Sequence, residues 1–385
     1  VMSSYNKIFA LSATLISPFA QATTVIPAPP VLENKAFVLM DYDSGKILAE
    51  SNAHGHLAPA SLTKMMTSFL VEQRLLKGQL KEDDQVLMSQ NAWCRGTSKE
   101  SCMYVPLNSY ASVLDMLRGI IIQSGNDASE AVAEHLAGSE EAFAELMNGE
   151  AKRLGMNDTQ FKNATGLTQD GHYTSAYDMA TLAHAIIKDS SKYYPIYSEK
   201  EFTYNNIKQG NRNALLFTDP TVDGLKTGHT DEAGYCLTAS SKRGSMRLIS
   251  VVMGTPSMQA RADQTRALFN WGFSNFETAQ IRPKGQELAK PVVWFGQAEN
   301  VSVGLASDMN VTLARGEKDK LQISLQVPSS LDAPIKQGQE VGKIIATLDG
   351  KTVGEQALVA LQPVEQAGFF TRMWHGIKRF FANLF

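Results

Sequence analysis

The chain has 385 residues, 43% of them hydrophobic and 19% charged, so it is an ordinary globular composition long enough for two domains with appendages. Its formal net charge of -3 offers no field suited to a polyanion, which argues against nucleic acid as a partner. His54 and His56 form a lone H-x-H in a Gly-containing loop with no third ligand at metal spacing, so no metal or other cofactor is expected.

In chain order, Lys7 precedes the apolar run Ile8 to Ile16, and Ala20-Gln21-Ala22 follows. This is the layout of a secretory signal peptide over residues 1–22, too short and too interrupted by Ser17 and Pro18 to span a bilayer. A Pro-containing lead follows over 23–35. Ala36 to Met40 and Lys46 to Glu50 flank Asp43-Ser44-Gly45 as a β-hairpin. A helix is then expected from Ser61 to Leu76, stopped by Gly78. Cys94 and Cys102 lie close enough in a polar loop to bridge in an exported protein, whereas Cys236 sits in an apolar, strand-like run.

Helical patterns recur over Ser112 to Ile122, Asp127 to Leu136, Ser139 to Leu154 and Ser175 to Lys188, with Ser124-Gly125-Asn126 on the connection between the first two. Lys226-Thr227-Gly228 then opens a β segment, continued by Tyr235 to Ser240 and Met246 to Met253. A strand, several helices and more strands make one α/β unit over 36–279. Beyond Pro283 short strands replace helices, with alternation in Leu321, Ile323, Leu325 and Val327, so a small all-β sandwich is expected over 280–364.

The last stretch, 365–385, carries the clearest periodicity. At about 100° per residue, Phe369, Phe370, Met373, Trp374, Ile377, Phe380, Phe381 and Leu384 share one face of a helix, opposite Arg372, His375, Lys378 and Arg379. Cations interrupt any long apolar run, so the helix is expected to lie in a membrane surface and not to cross it. Packing of that face on the β domain, or a homodimer, are the other readings.

Three motifs carry chemistry. Ser61-Leu62-Thr63-Lys64 places a hydroxyl and an amine on one helix face, because residues three apart are neighbours there. Alone, it reads as well as a helix cap followed by a surface lysine. Ser124-Gly125-Asn126 lies 63 residues after Ser61, and Lys226-Thr227-Gly228 lies 165 after it. An S-x-x-K, S-x-N, K-T-G triple in this order marks penicillin-binding proteins and class A β-lactamases. With S-G-N in the middle and Asp223 to Tyr235 around the third motif, the chain resembles the low-molecular-mass D-alanyl-D-alanine carboxypeptidases, class C penicillin-binding proteins, over its whole length.

The resemblance implies an α/β serine DD-peptidase domain of β-lactamase-like fold, followed by the β-sandwich and an anchoring amphipathic helix. It implies that Ser61 is the acyl-forming nucleophile, Lys64 its base and Ser124 a proton relay. Lys226 would help keep Lys64 neutral and hold the substrate carboxylate, and Asn126 would hold the substrate amide. Backbone N–H groups of Ser61 and His229 would form the oxyanion hole. Arg261, with Thr227 beside it, falls where the family clamps a terminal carboxylate, Gly228 joins the substrate-binding set, and Arg212 matches a family arginine near the cleft or serves a structural ion pair. Thr165 stands where some members have histidine.

The implied activity removes the terminal D-alanine from peptidoglycan pentapeptide stems, with β-lactams as covalent inhibitors, in a periplasmic enzyme on the inner membrane. Other readings are a serine β-lactamase, a DD-endopeptidase and a non-catalytic scaffold. A class A lactamase needs a deacylating glutamate, and Phe161 to Thr165, where it should fall, has no carboxylate.

Overall fold

The computed structural model describes residues 25–95 and 100–382. The expected signal peptide and Leu384 fall outside them. In chain order, β1 (Ala36–Asp41) and β2 (Ile47–Ser51) precede a 3-10 turn, Ala60–Thr63, and α1 (Lys64–Leu76). The helical region holds a small pair, β3 (Gln85–Leu87) and β4 (Tyr110–Ser112), then α2 (Val113–Ile121), α3 (Asn126–Ala137), α4 (Glu140–Arg153) and α5 (Ala176–Asp189). A second pair, β5 (Glu201–Tyr204) and β6 (Ile207–Gly210), and the short α6 (Leu215–Thr218) lead to β7 (Val222–Thr230), β8 (Gly234–Arg243) and β9 (Met246–Thr255). Helix α7 (Met258–Asn275) closes the unit.

The main sheet is antiparallel in the order β2-β1-β9-β8-β7. Strand β1 is buried throughout, and its alternation divides the core in two. Ala36, Val38 and Met40 face the helical region with Met65, Phe69 and Ile186, while Phe37 and Leu39 face α7 with Leu268, Phe269 and Phe273. The sheet is therefore covered on both faces. The third motif runs along β7, an edge strand, so the outer side of that strand is open to a substrate.

Helix ends follow local chemistry. Ser112, Ser139, Ser175 and Ser257 each accept a hydrogen bond from a backbone N–H two or three residues into α2, α4, α5 and α7. The expected elements lack α7, because Arg, Gln, Asp and Asn interrupt its apolar stripe. The helix expected from Ser61 puts the nucleophile in the α-helix itself. Ser61 instead lies in the 3-10 turn before α1, after Ala60 at φ 48°.

Strand β10 (Phe276–Arg282) pairs antiparallel with β13 (Met309–Ala314) and crosses the expected domain boundary at residue 279. Phe276 packs with α7, whereas Ala279 and Ile281 enter the second core, so one strand serves both units. That second unit contains β11 (Val292–Trp294), β12 (Val303–Gly304), β14 (Gln322–Gln326), β15 (Ser330–Asp332), β16 (Glu340–Leu348) and β17 (Lys351–Ala360). Its four-stranded sheet, β12-β17-β16-β14, packs Ile344, Ala346 and Leu358 against Val311 and Leu313 of β13, a β-sandwich. Asp349 and Gly350, both at positive φ, form the two-residue turn between β16 and β17.

Helix α8 (Phe369–Ala382) lies on this domain through its polar side. Arg379 pairs with Asp332 at 2.8 Å, and His375 Nδ1 accepts from the Phe295 N–H at 2.9 Å. Phe369, Phe370, Met373, Trp374 and Ile377 are exposed. The reading in which the apolar face packs on the β domain is thereby corrected for these five residues: the side bearing His375 and Arg379 docks. Phe380 and Phe381 continue the helix backbone. Among the described residues, no helix is long and apolar enough to cross a membrane.

Candidate active site

Ser61 and Lys64 meet across the turn that joins the 3-10 segment to α1. Lys64 is fully buried, with Nζ 3.1 Å from Ser61 Oγ, 2.7 Å from Asn126 Oδ1 and 2.6 Å from the Thr165 carbonyl. Burial and, after it, the Arg212 charge lower the amine's pKa from 10.5 to about 7, against the acidic groups Asp127, Glu100 and Glu130. A neutral amine has two N–H groups and one lone pair. The two oxygens that can only accept, those of Asn126 and Thr165, consume both N–H groups, which leaves the lone pair for the Ser61 hydroxyl.

Ser124 sits between α2 and α3 at φ 57°, a strained conformation for a serine, and its Oγ accepts from Lys226 Nζ at 2.9 Å. Lys226 also donates to the Thr227 carbonyl at 3.0 Å. Its pKa is held far below the ordinary lysine value by burial, then by Lys64, Arg212 and Arg261. Two buried amines in one site are not both charged at once. Strand β7 is fixed at its start by Asp223, whose carboxylate takes both Arg247 Nη1 and Nη2 at 2.8 Å and the Tyr194 hydroxyl at 2.7 Å. At Gly228 the strand passes so close to the nucleophile turn that a Cβ would stand 3.1 Å from both the Pro59 carbonyl and the Ser61 nitrogen.

Arg261, in α7, is 5% exposed and donates from Nη1 to the Gly228 carbonyl at 3.2 Å. Burial pushes its pKa down to about 10. Its guanidinium lies over Tyr235, whose other contact is a stack with exposed His229 at 4.0 Å between centroids. Arg212 is exposed, and among the described residues no carboxylate pairs with it, so the ion-pair reading of this residue is not what the structure shows. It acts through its charge on the two lysines and Arg261.

Ser61 opens on a cleft of about 460 Å³ that is also lined by Asn126, Thr165, His229 and the carboxylates Glu100 and Asp231. Glu100 was not singled out in the sequence. It accepts from Asn126 Nδ2 at 3.2 Å, so the Asn126 amide is held between Lys64 and a carboxylate. The Cys94 and Cys102 sulfurs are bonded, and the segment after the bridge is tied to α3: the Asn126 N–H donates to the Ser101 carbonyl, and Asp127 accepts from the Met103 and Tyr104 N–H groups. The Thr165 carbonyl was equally invisible, because a backbone atom leaves no residue-type signal. Glu140 also reaches this region, accepting from the Ala164 N–H at 3.0 Å, from a helix far from the loop in sequence.

A profile of the family described as "D-alanyl-D-alanine carboxypeptidase" matches residues 23–257, and one for "Penicillin-binding protein 5, C-terminal domain" matches 276–366. The chain belongs to the D-alanyl-D-alanine carboxypeptidase family. It is 42% identical over 392 aligned positions to D-alanyl-D-alanine carboxypeptidase DacA of Escherichia coli K12, covering 98% of this chain and 97% of that one. Penicillin-binding protein 5 from Haemophilus influenzae has a similar structure, at a TM-score of 0.83 and 41% identity, over 88% of this chain and all of that one. Penicillin-binding protein D2 from Listeria monocytogenes, solved in a cefotaxime-bound form, matches 64% of this chain at 31% identity and a TM-score of 0.58. The contacts of Ser61 with Lys64 and of Ser124 with Lys226 fit an enzyme of this family.

Proposed function

We propose that the chain is a serine D-Ala-D-Ala carboxypeptidase that trims the terminal D-alanine from peptidoglycan pentapeptide stems through an acyl-enzyme on Ser61. The observation that carries the mechanism is the Lys64 amine, buried, neutralised and left with one free lone pair toward Ser61 Oγ. Lys64 takes the Ser61 proton as Oγ attacks the penultimate D-Ala carbonyl. Backbone N–H groups of Ser61 and His229 receive the oxyanion, the position where donors contribute most. Ser124, held by Lys226, relays that proton from Lys64 to the departing amine. Water then attacks the ester and restores Ser61.

Lys226, Arg212 and Arg261 interact electrostatically around β7, and this group of cations suits the free carboxylate that distinguishes a carboxypeptidase substrate from a cross-link. Thr227 and the backbone of Gly228 flank that end, and Asn126 holds the substrate amide once it releases Glu100. β-Lactams are read as covalent inhibitors at Ser61, supported by the cefotaxime-bound relative. An exported protein held on the inner membrane by α8 accords with the exposed aromatic face. The test is release of free D-alanine from diacetyl-Lys-D-Ala-D-Ala. Wild type releases one D-alanine per peptide and Ser61→Ala none; release by Ser61→Ala at the wild-type rate overturns the reading.

A further inference from the structure

Helix α1 carries a second titratable group that the mechanism above does not use. Two turns beyond Lys64, Glu72 is fully buried, with Oε1 2.8 Å from the Tyr197 hydroxyl and Oε2 without any partner. The Tyr197 hydroxyl lies 2.8 Å from Ser68 Oγ, and Ser68 Oγ lies 2.9 Å from the carbonyl oxygen of Lys64. Three contacts therefore connect a buried carboxyl to the backbone of the lysine beside the nucleophile.

Proton counting fixes their direction. Neither the Lys64 carbonyl nor the Met65 carbonyl, 3.1 Å from Ser68 Oγ, has a proton to give, so Ser68 donates to the backbone, with Lys64 the nearer acceptor. Having spent its one proton, Ser68 receives from Tyr197. Tyr197 has then spent its proton too, so its contact with Glu72 is a hydrogen bond only when Glu72 supplies the proton. If Glu72 is ionised, Tyr197 turns toward it, Ser68 must choose between Tyr197 and Lys64, and one contact loses its proton. The ionised form would also bury a charge with hydroxyls as its only donors and no cation beside it, an arrangement that burial strongly disfavours. Burial pushes the Glu72 pKa up to about 7, with the Ser190 and Tyr197 hydroxyls pulling the other way and no cation contributing.

We propose that Glu72 is a neutral carboxylic acid and a positioning residue for Lys64, acting through a one-way chain of hydrogen bonds from Glu72 to Tyr197 to Ser68 to the Lys64 carbonyl. The first turn of α1 carries the Lys64 amine, whose position against Asn126, Thr165 and Ser61 depends on that turn. Anchoring the Lys64 carbonyl from below holds the turn while the amine exchanges its proton above. The inference rests on Lys64 serving as the base for Ser61.

Two measurements on the full chain test it. The first is the infrared difference spectrum of wild type against Glu72→Gln at about pH 6, where ordinary glutamates are ionised. A carboxylic-acid carbonyl band present only in wild type is expected; carboxylate bands in its place overturn the proposal. This readout does not depend on any activity. The second is acylation of Ser61 by benzylpenicillin, separating the acylation rate constant from the preceding non-covalent affinity. Tyr197→Phe keeps the ring and breaks the chain, so it lowers the rate constant about tenfold with affinity unchanged. Glu72→Gln, whose amide N–H also donates to Tyr197, stays within about twofold of wild type. A Tyr197→Phe enzyme that acylates at the wild-type rate overturns the positioning role. If Tyr197→Phe does not fold, the infrared band and the Glu72→Gln rate decide. A wild-type protein that penicillin does not acylate at all defeats the assignment of Ser61 and Lys64 instead, and the infrared result stands apart from it.

Discussion

Replacing Lys64 by methionine should destroy activity and change stability in a pH-dependent way, most favourably at acidic pH. The fall of the Lys64 pKa from 10.5 to about 7 corresponds to roughly 5 kcal/mol, at about 1.4 kcal/mol for each tenfold change in proton affinity. The sign follows from proton binding. Between pH 7 and 10.5 the unfolded chain holds a proton on this amine that the folded chain has released, so wild-type stability rises with pH across that window. Below about pH 7 the folded protein carries the whole cost of burying the ammonium. Methionine is close to lysine in volume and carries no charge, but it leaves the Asn126 and Thr165 oxygens without their donor, which costs about 1 to 3 kcal/mol for each. The net change in stability at acidic pH is therefore about -1 to +3 kcal/mol, and it falls by roughly 5 kcal/mol as pH rises toward 10.5. The assay is thermal unfolding of wild type and Lys64→Met at several pH values, read on the transition of the serine peptidase domain. A Lys64→Met protein less stable than wild type by the same amount at every pH would refute the neutral, buried amine.

His172 supplies a second pH test. It is buried, its Nδ1 accepts from the Lys162 N–H at 2.8 Å, and its Nε2 therefore carries the proton given to Thr63 Oγ1 at 2.8 Å. Burial lowers its pKa from 6.5 to about 4, so the unfolded chain binds a proton there that the folded chain refuses, and stability falls as pH drops through this window by up to about 3 kcal/mol. His172→Gln should remove that component from the acid limb of a stability profile; an unchanged limb would contradict the assignment. Opening the Cys94 to Cys102 bridge, which closes a loop of sequence separation 8, should cost about 2.5 kcal/mol and loosen Glu100 to Met103 against α3. Denaturant titration of Cys94→Ser/Cys102→Ser checks it. Deleting residues from Phe369 onward should abolish binding to anionic lipid vesicles while D-alanine release persists; retained binding would show that the exposed face of α8 is not the anchor.

The three motifs were legible because their residue types are chemically distinctive and their order is fixed, and the fold does join Ser61 and Asn126 to Lys64 and Ser124 to Lys226. The hairpin, the helices with serine caps and the β7 edge were legible from periodicity and turn residues. Helix α7 was not, since its polar residues blur the period, although it places Arg261 beneath Gly228. Other misses have a common cause. The Thr165 carbonyl is a backbone atom, and Glu100, Glu140 and Tyr197 reach their partners across long separations. Strand β10 was divided at residue 279 because a strand shared by two cores shows one continuous pattern and no boundary signal.

The central claim is that Ser61 is acylated by a peptide ending in D-Ala-D-Ala and by penicillin at the same oxygen. Intact-mass spectrometry of the protein with benzylpenicillin, alongside D-alanine release from diacetyl-Lys-D-Ala-D-Ala, tests it most directly. The account predicts one long-lived penicilloyl group on Ser61, blocking a D-alanine release that is otherwise stoichiometric with peptide. Rapid penicillin turnover with no lasting adduct, or an adduct on a residue other than Ser61, would contradict it.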